Sequence, residues 1–97
     1  MAILADVKVA LRISNTAYDT EITDLINAAK ADLELSGINP DKILDTDTLI
    51  KRVINTYVKA NFGWNNPDAD RLQKSYDLLK MHLSLSTEYM AGDEDAV

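Results

Sequence analysis

Apolar residues recur at steps of three and four in four separate stretches of this chain, and almost nowhere alternate. That period of about 3.6 puts each stretch on one face of a helix and leaves little sequence for strands. Leu4, Val7 and Leu11 mark the first stretch. Ile22, Leu25, Ile26, Ala29 and Leu33 mark the second. Leu49, Ile50, Val53, Ile54, Tyr57 and Val58 form the widest stripe, as expected for a central helix touched on more than one side. Ala69, Leu72, Tyr76, Leu79 and Leu83 form a heptad-like seam. The spacing predicts helices over 4–12, 19–36, 47–62 and 67–90. The expected fold is all-α, a small four-helix bundle with a loop between the second and third helices.

The ends carry their own chemistry. Asp19 is a candidate N-cap, and Glu21 suits the positive first turn. Gly37 suits the left-handed position after the second helix. Asn39-Pro40-Asp41 is turn chemistry, and Ile43 and Leu44 give residues 38–46 an apolar foothold. Asp45 or Asp47 caps the third helix, which Gly63 ends. Asn66 and Pro67 fit the N-cap and N1 positions of the fourth, with Asp68 and Asp70 in its first turn.

Composition limits the chemistry. The 97 residues include no cysteine and one histidine, His82. This removes disulfides, thiolate metal sites and cysteine nucleophiles, and it leaves a histidine relay without partners. His82 reads as a surface or interface residue. Asp68/Asp70 and Asp45/Asp47 read as dipole-favouring or capping acids rather than metal ligands. There is no glycine-rich phosphate loop and no G-x-S-x-G elbow. No catalytic, cofactor-binding or metal site is expected, and the chain does not read as an enzyme.

Sixteen acids against ten bases give a net charge of −6. Nucleic-acid binding draws on cations that neutralise phosphate, and these bases are spread out. Residues 84–97 hold four acids and no base, whereas residues 1–83 are nearly balanced. The chain is expected to divide into a helical domain, 1–91, and a mobile acidic tail, 92–97. The tail is either a solubility feature or a docking element in which Tyr89 and Met90 anchor acids that meet basic groups on a partner. The start shows no basic and apolar targeting pattern, and no stretch is apolar enough to span a membrane.

Two features stand out. The fourth helix carries a second apolar stripe, Leu78, Met81, Leu85 and Tyr89, roughly opposite the first. Either the amino-terminal helix or the 38–46 segment covers it, or it meets another molecule. The second reading is favoured here, with Leu78, Met81, Leu85, Tyr89 and Met90 as the candidate interface. The other feature is the corner Phe62-Gly63-Trp64-Asn65-Asn66-Pro67. Its aromatics suit a plug at the end of the core, and Phe62, Gly63, Trp64 and Pro67 read as structural. A DNA-reading helix-turn-helix is disfavoured, because the next helix opens on Asp68 and Asp70 where a recognition helix presents donors.

Particular residues also resemble a known family. They are Leu4-Ala5-Asp6-Val7-Lys8 through Leu11-Arg12-Ile13, then Asp19-Thr20-Glu21-Ile22 and Leu25-Ile26-Asn27-Ala28-Ala29-Lys30. The most specific run is Tyr57-Val58-Lys59-Ala60-Asn61-Phe62-Gly63-Trp64-Asn65-Asn66-Pro67, followed by Arg71-Leu72, Tyr76 and Leu79-Lys80. Over residues 3–90 the chain resembles the helical head–tail connector proteins of tailed phages and prophages, also called adaptor or head-completion proteins. The resemblance implies a structural virion protein, assembled in the bacterial host cytoplasm and located in the virion neck. It implies a ring below the portal that extends the DNA channel. The implied partners are other copies of the chain, the portal protein and the next neck or tail-completion protein, with DNA only in transit and no membrane. The competing readings are a cytoplasmic helical adaptor that binds one protein partner and, less in keeping with the charge, a DNA-binding helical domain.

Overall fold

The computed structural model describes residues 2–63, 66–86 and 88–89. Trp64 and Met90 lie outside the described residues, as does the expected tail, 92–97. The architecture is all-α. Among the described residues four helices run in the order α1 (Ala2–Leu11), α2 (Asp19–Leu35), α3 (Thr48–Asn61) and α4 (Ala69–Ser84). A single 3₁₀ turn, Pro40–Lys42, lies between α2 and α3.

α3 is the hub. It packs against α1, α2 and α4, and α1 also rests on α2. Its Ile50, Val53, Ile54 and Val58 are fully buried. They meet a core built from Ile3 and Val7 of α1, Ile22, Ile26, Ala29 and Leu33 of α2, and Tyr76 and Leu83 of α4. Each such aliphatic side chain contributes about 1.5–3 kcal/mol by leaving water.

The helix ends follow local chemistry. After α2, Gly37 takes φ +98°. Its N–H donates to the Glu34 carbonyl at 3.0 Å, and the Ile38 N–H donates to the Leu33 carbonyl at 3.1 Å. This is a Schellman closure, and its apolar contact is supplied by buried Ile38 and Leu33. The end of α1 repeats the pattern with a non-glycine residue. Arg12 sits at φ +62°, and the Ile13 N–H reaches the Lys8 carbonyl at 2.9 Å. Asp47 caps α3, accepting from the N–H groups of Leu49 and Ile50 at 2.9 and 3.0 Å. The other candidate, Asp45, instead pairs with Lys30 at 2.8 Å.

Two expected caps and one expected helix end are corrected. Tyr18, not Asp19, occupies the N-cap of α2; the Asp19 carboxylate is drawn 2.7 Å from the Lys8 ammonium on α1. Asn66 and Pro67 precede α4 rather than cap it. The Asn66 side-chain oxygen closes a turn onto the Asp68 N–H at 3.0 Å, so the helix begins at Ala69. α4 ends at Ser84, six residues short of the expected 90. The chain turns there instead of continuing, which carries Tyr89 inward, where its ring is 9% exposed.

Candidate interaction surface

Turning the chain after Ser84 splits the second stripe of α4. Leu78, Met81 and Leu85 lie on the outer face, with exposures of 51%, 48% and 76%. Neither α1 nor the 38–46 segment covers them: α1 packs on α2 and α3. Tyr89 does not belong with them. Its hydroxyl donates to the Asp47 carboxylate, 3.0 Å from Oδ2, and its carbonyl accepts from the Asn39 N–H at 2.7 Å. Burial pushes the Tyr89 phenol above its ordinary pKa, and the hydrogen bond and charge of Asp47 add to the rise. The phenol is therefore a permanent donor near neutral pH. Tyr89 is a clasp inside the monomer and not part of an exposed face.

The inner face of α4 carries a polar network that the apolar periodicity does not reveal. Tyr76, 1% exposed, packs edge-on against Tyr57 with ring centres 5.0 Å apart. Its hydroxyl donates to Asp32 Oδ2 on α2 at 2.5 Å, and the Lys80 ammonium reaches the same oxygen at 2.9 Å. Lys80 also sits 5.2 Å from the centre of the Tyr76 ring. Partial burial alone would raise the Asp32 carboxyl. The hydrogen bonds from Tyr76 and Lys80, with the charge of Lys80, outweigh it and hold the carboxyl below its usual range. The same burial, with the Asp32 bond, pushes the Tyr76 phenol far above its usual range. The hint in sequence is the Tyr76/Lys80 spacing of four, which places both on one side of a helix. Nothing in sequence points to Asp32 as their shared partner.

At the corner, Phe62 caps the end of α3 and is half-buried against the core. Its ring meets Tyr18 edge-to-face at 5.6 Å. Gly63 takes φ +77°, and a Cβ there would meet no neighbouring atom, so the left-handed backbone itself is what requires glycine. Pro67 is exposed in the turn before α4. A cleft of about 500 Å³ opens beside the corner, lined by Tyr18, Glu21, Phe62 and Gly63. A second, of about 370 Å³, lies between α1 and α2 at Ile3, Leu4, Ile26 and Lys30. Thr23, Asn27 and Asp45 complete the second lining, where Lys30 pairs with Asp45. Among the described residues no three His, Asp or Glu side chains converge as a metal ion would need. None of the described helices is long and apolar enough to cross a membrane. His82 is exposed, in the last turn of α4.

The geometry also presents an exposed apolar face on α4, at Leu78, Met81 and Leu85. Residues 3–90 match a family model described as phage connector protein. The chain belongs to the phage connector family. The match spans all four helices, the corner and the Tyr89 clasp. No curated protein and no solved structure matches the connector.

Proposed function

We propose that this connector is a structural, non-enzymatic component of the neck of a tailed phage or prophage. In this reading it forms a ring below the portal, lengthens the DNA channel and offers a seat for the next neck or tail-completion protein. The observation that carries the reading is the family match over residues 3–90. The uncovered face of α4 supports it, because a monomer seldom leaves Leu78, Met81 and Leu85 together in water without a partner. The candidate interface is accordingly those three residues, without Tyr89; Met90 lies outside the described residues. A net charge of −6 suits a conduit that passes DNA without gripping it, since a negative wall repels phosphate.

Electron microscopy of the connector mixed with portal assemblies from the same phage tests this. A ring of added density on the portal is expected. Leu85→Asp should weaken that binding at least about tenfold, since a charge placed in an apolar contact costs more than 1.4 kcal/mol. Leu85 is exposed in the monomer, so the variant should stay folded. Portal assemblies that remain bare at saturating connector would overturn the assignment. Sub-micromolar binding of duplex DNA in a low-salt mobility-shift assay would overturn the channel-wall reading of the charge.

A further inference from the structure

The outer faces of α2 and α4 match one another position by position. Along α2, Asp24, Ala28, Ala31 and Leu35 fall at i, i+4, i+7 and i+11, one stripe of a helix, and all four are exposed. Along α4 and its cap, Lys74, Leu78, Met81 and Leu85 repeat the same spacing and are likewise exposed. Each stripe opens on a charge, and the two charges are opposite. Neither Asp24 nor Lys74 forms an ion pair among the described residues, although Lys8, Lys30, Lys51, Arg71 and Lys80 each do. Each stripe closes on a leucine left in water, Leu35 at 88% and Leu85 at 76% exposure. Between those ends α2 presents two alanines where α4 presents Leu78 and Met81. Large side chains over small ones let two helices approach closely.

We propose that the outer face of α4 docks on the outer face of α2 of a second copy, with the two helices parallel. The proposal rests on the ring reading above and names the surfaces that meet. Laid parallel and in step, Lys74 meets Asp24, Leu78 covers Ala28, Met81 covers Ala31, and Leu85 meets Leu35. Laid antiparallel, each charge would face a leucine. Pairing α4 with α4 would set lysine against lysine or against leucine. The parallel match is heterologous, so every copy has one face to give and another to receive. On the rim, Glu21 comes to the side of α4 that carries Asp70 and Asp77. That like-charge approach is exposed, and water and salt screen it.

The chain has no cysteine, which gives a clean background for cross-linking. Full-length Ala31→Cys and Met81→Cys variants, mixed at high concentration under mild oxidation, should give mainly the unlike adduct. Chance collisions would give like and unlike adducts in similar total amounts. A disulfide needs Cα atoms within about 7 Å, so an adduct reports the contact itself. In the same assay format, with wild-type charges exchanged, Asp24→Lys and Lys74→Asp should each reduce self-association several-fold. The double variant should recover it, because the pair is only turned round. Like adducts in the majority, an exchange that does not rescue, or a chain that stays monomeric at every concentration would each overturn the contact. Portal binding by the wild-type connector is scored separately. If it persists while the unlike adduct fails, this contact is wrong and the connector assignment stands; bare portals would instead sink the assignment.

Discussion

Replacing Tyr76 with phenylalanine removes one oxygen and keeps the ring against Tyr57. What is lost is a hydrogen bond to a carboxylate, a class that contributes about 1.5–3 kcal/mol. Asp32 is 36% exposed at its side chain and keeps Lys80, so water and the ammonium take up the freed lone pair. The expected cost of Tyr76→Phe is therefore near the lower end, about 1–1.5 kcal/mol. Asp32→Ala is different. It strands the Tyr76 hydroxyl, which belongs to a side chain 1% exposed and has no other partner among the described hydrogen bonds. An unsatisfied buried donor costs about 1–3 kcal/mol, on top of the half-exposed Lys80 pair at up to about 1 kcal/mol. Once Tyr76 is already phenylalanine, removing Asp32 should cost only that last part. The double variant should thus lose about 1–3 kcal/mol less than the sum of the two single losses. Urea unfolding of the four proteins at neutral pH reads this directly, with Asp32→Ala alone lowering Tm by roughly 4–8 °C per kcal/mol lost. Acid gives an independent check. The Asp32 carboxyl is held below its ordinary pKa, so its contribution is present above about pH 3.9 and is lost as pH falls through the folded value. Additive losses, or an Asp32→Ala variant as stable as wild type, would refute the network as described.

Truncation after Glu88 removes the Tyr89 ring from the core and leaves Asp47 and the Asn39 N–H without their partner, so thermal melting should fall by an amount typical of deleting a buried aromatic, about 3–5 kcal/mol. Asp47→Ala should cost about 2 kcal/mol by urea unfolding, because one carboxylate both caps α3 and receives Tyr89. Both phenols are raised in the folded state, so their contribution is full below about pH 10 and is lost as pH rises further; Tyr76→Phe should show a shallower alkaline loss by circular dichroism. Arg12→Gly should raise stability by up to about 1 kcal/mol, since it relieves a left-handed backbone that an arginine adopts at a cost, and a lower Tm would show that the Arg12 side chain matters more than its φ.

The features read correctly from sequence are those that neighbours in the chain decide. Gly37 lies in the left-handed region as expected, and Gly63 follows the end of α3 as expected. The helical period placed α3 at the centre because its apolar arc is too wide for one neighbour to cover. Asp19 was legible as an acid at a helix start, but not as the partner of Lys8, which approaches from another helix. The same limit hid the end of α4. Residues 85–89 continue the apolar spacing, so Tyr89 reads as one more member of the outer stripe. Only Asp47 and Asn39, more than forty residues earlier, draw it inward. For the candidate surface, Leu78, Met81 and Leu85 were legible because two apolar arcs on one helix exceed what a small bundle can cover. Leu35 was not, because a single leucine at the end of α2 carries no period.

The Tyr89 clasp also gives this small protein a direction of mechanical weakness. The last described turn of chain is fastened at two points, to the Asn39 amide and to the carboxylate that starts α3. A pull on the chain beyond Tyr89 is therefore delivered to the first turn of the central helix, not absorbed in a loose end. Asp47 is where that load arrives, and it is also the group that holds the Leu49 and Ile50 amides in place. Under tension the clasp and the helix start would give way together, loosening the hub from its amino-terminal end while the α3–α4 seam around Tyr76 stays shut.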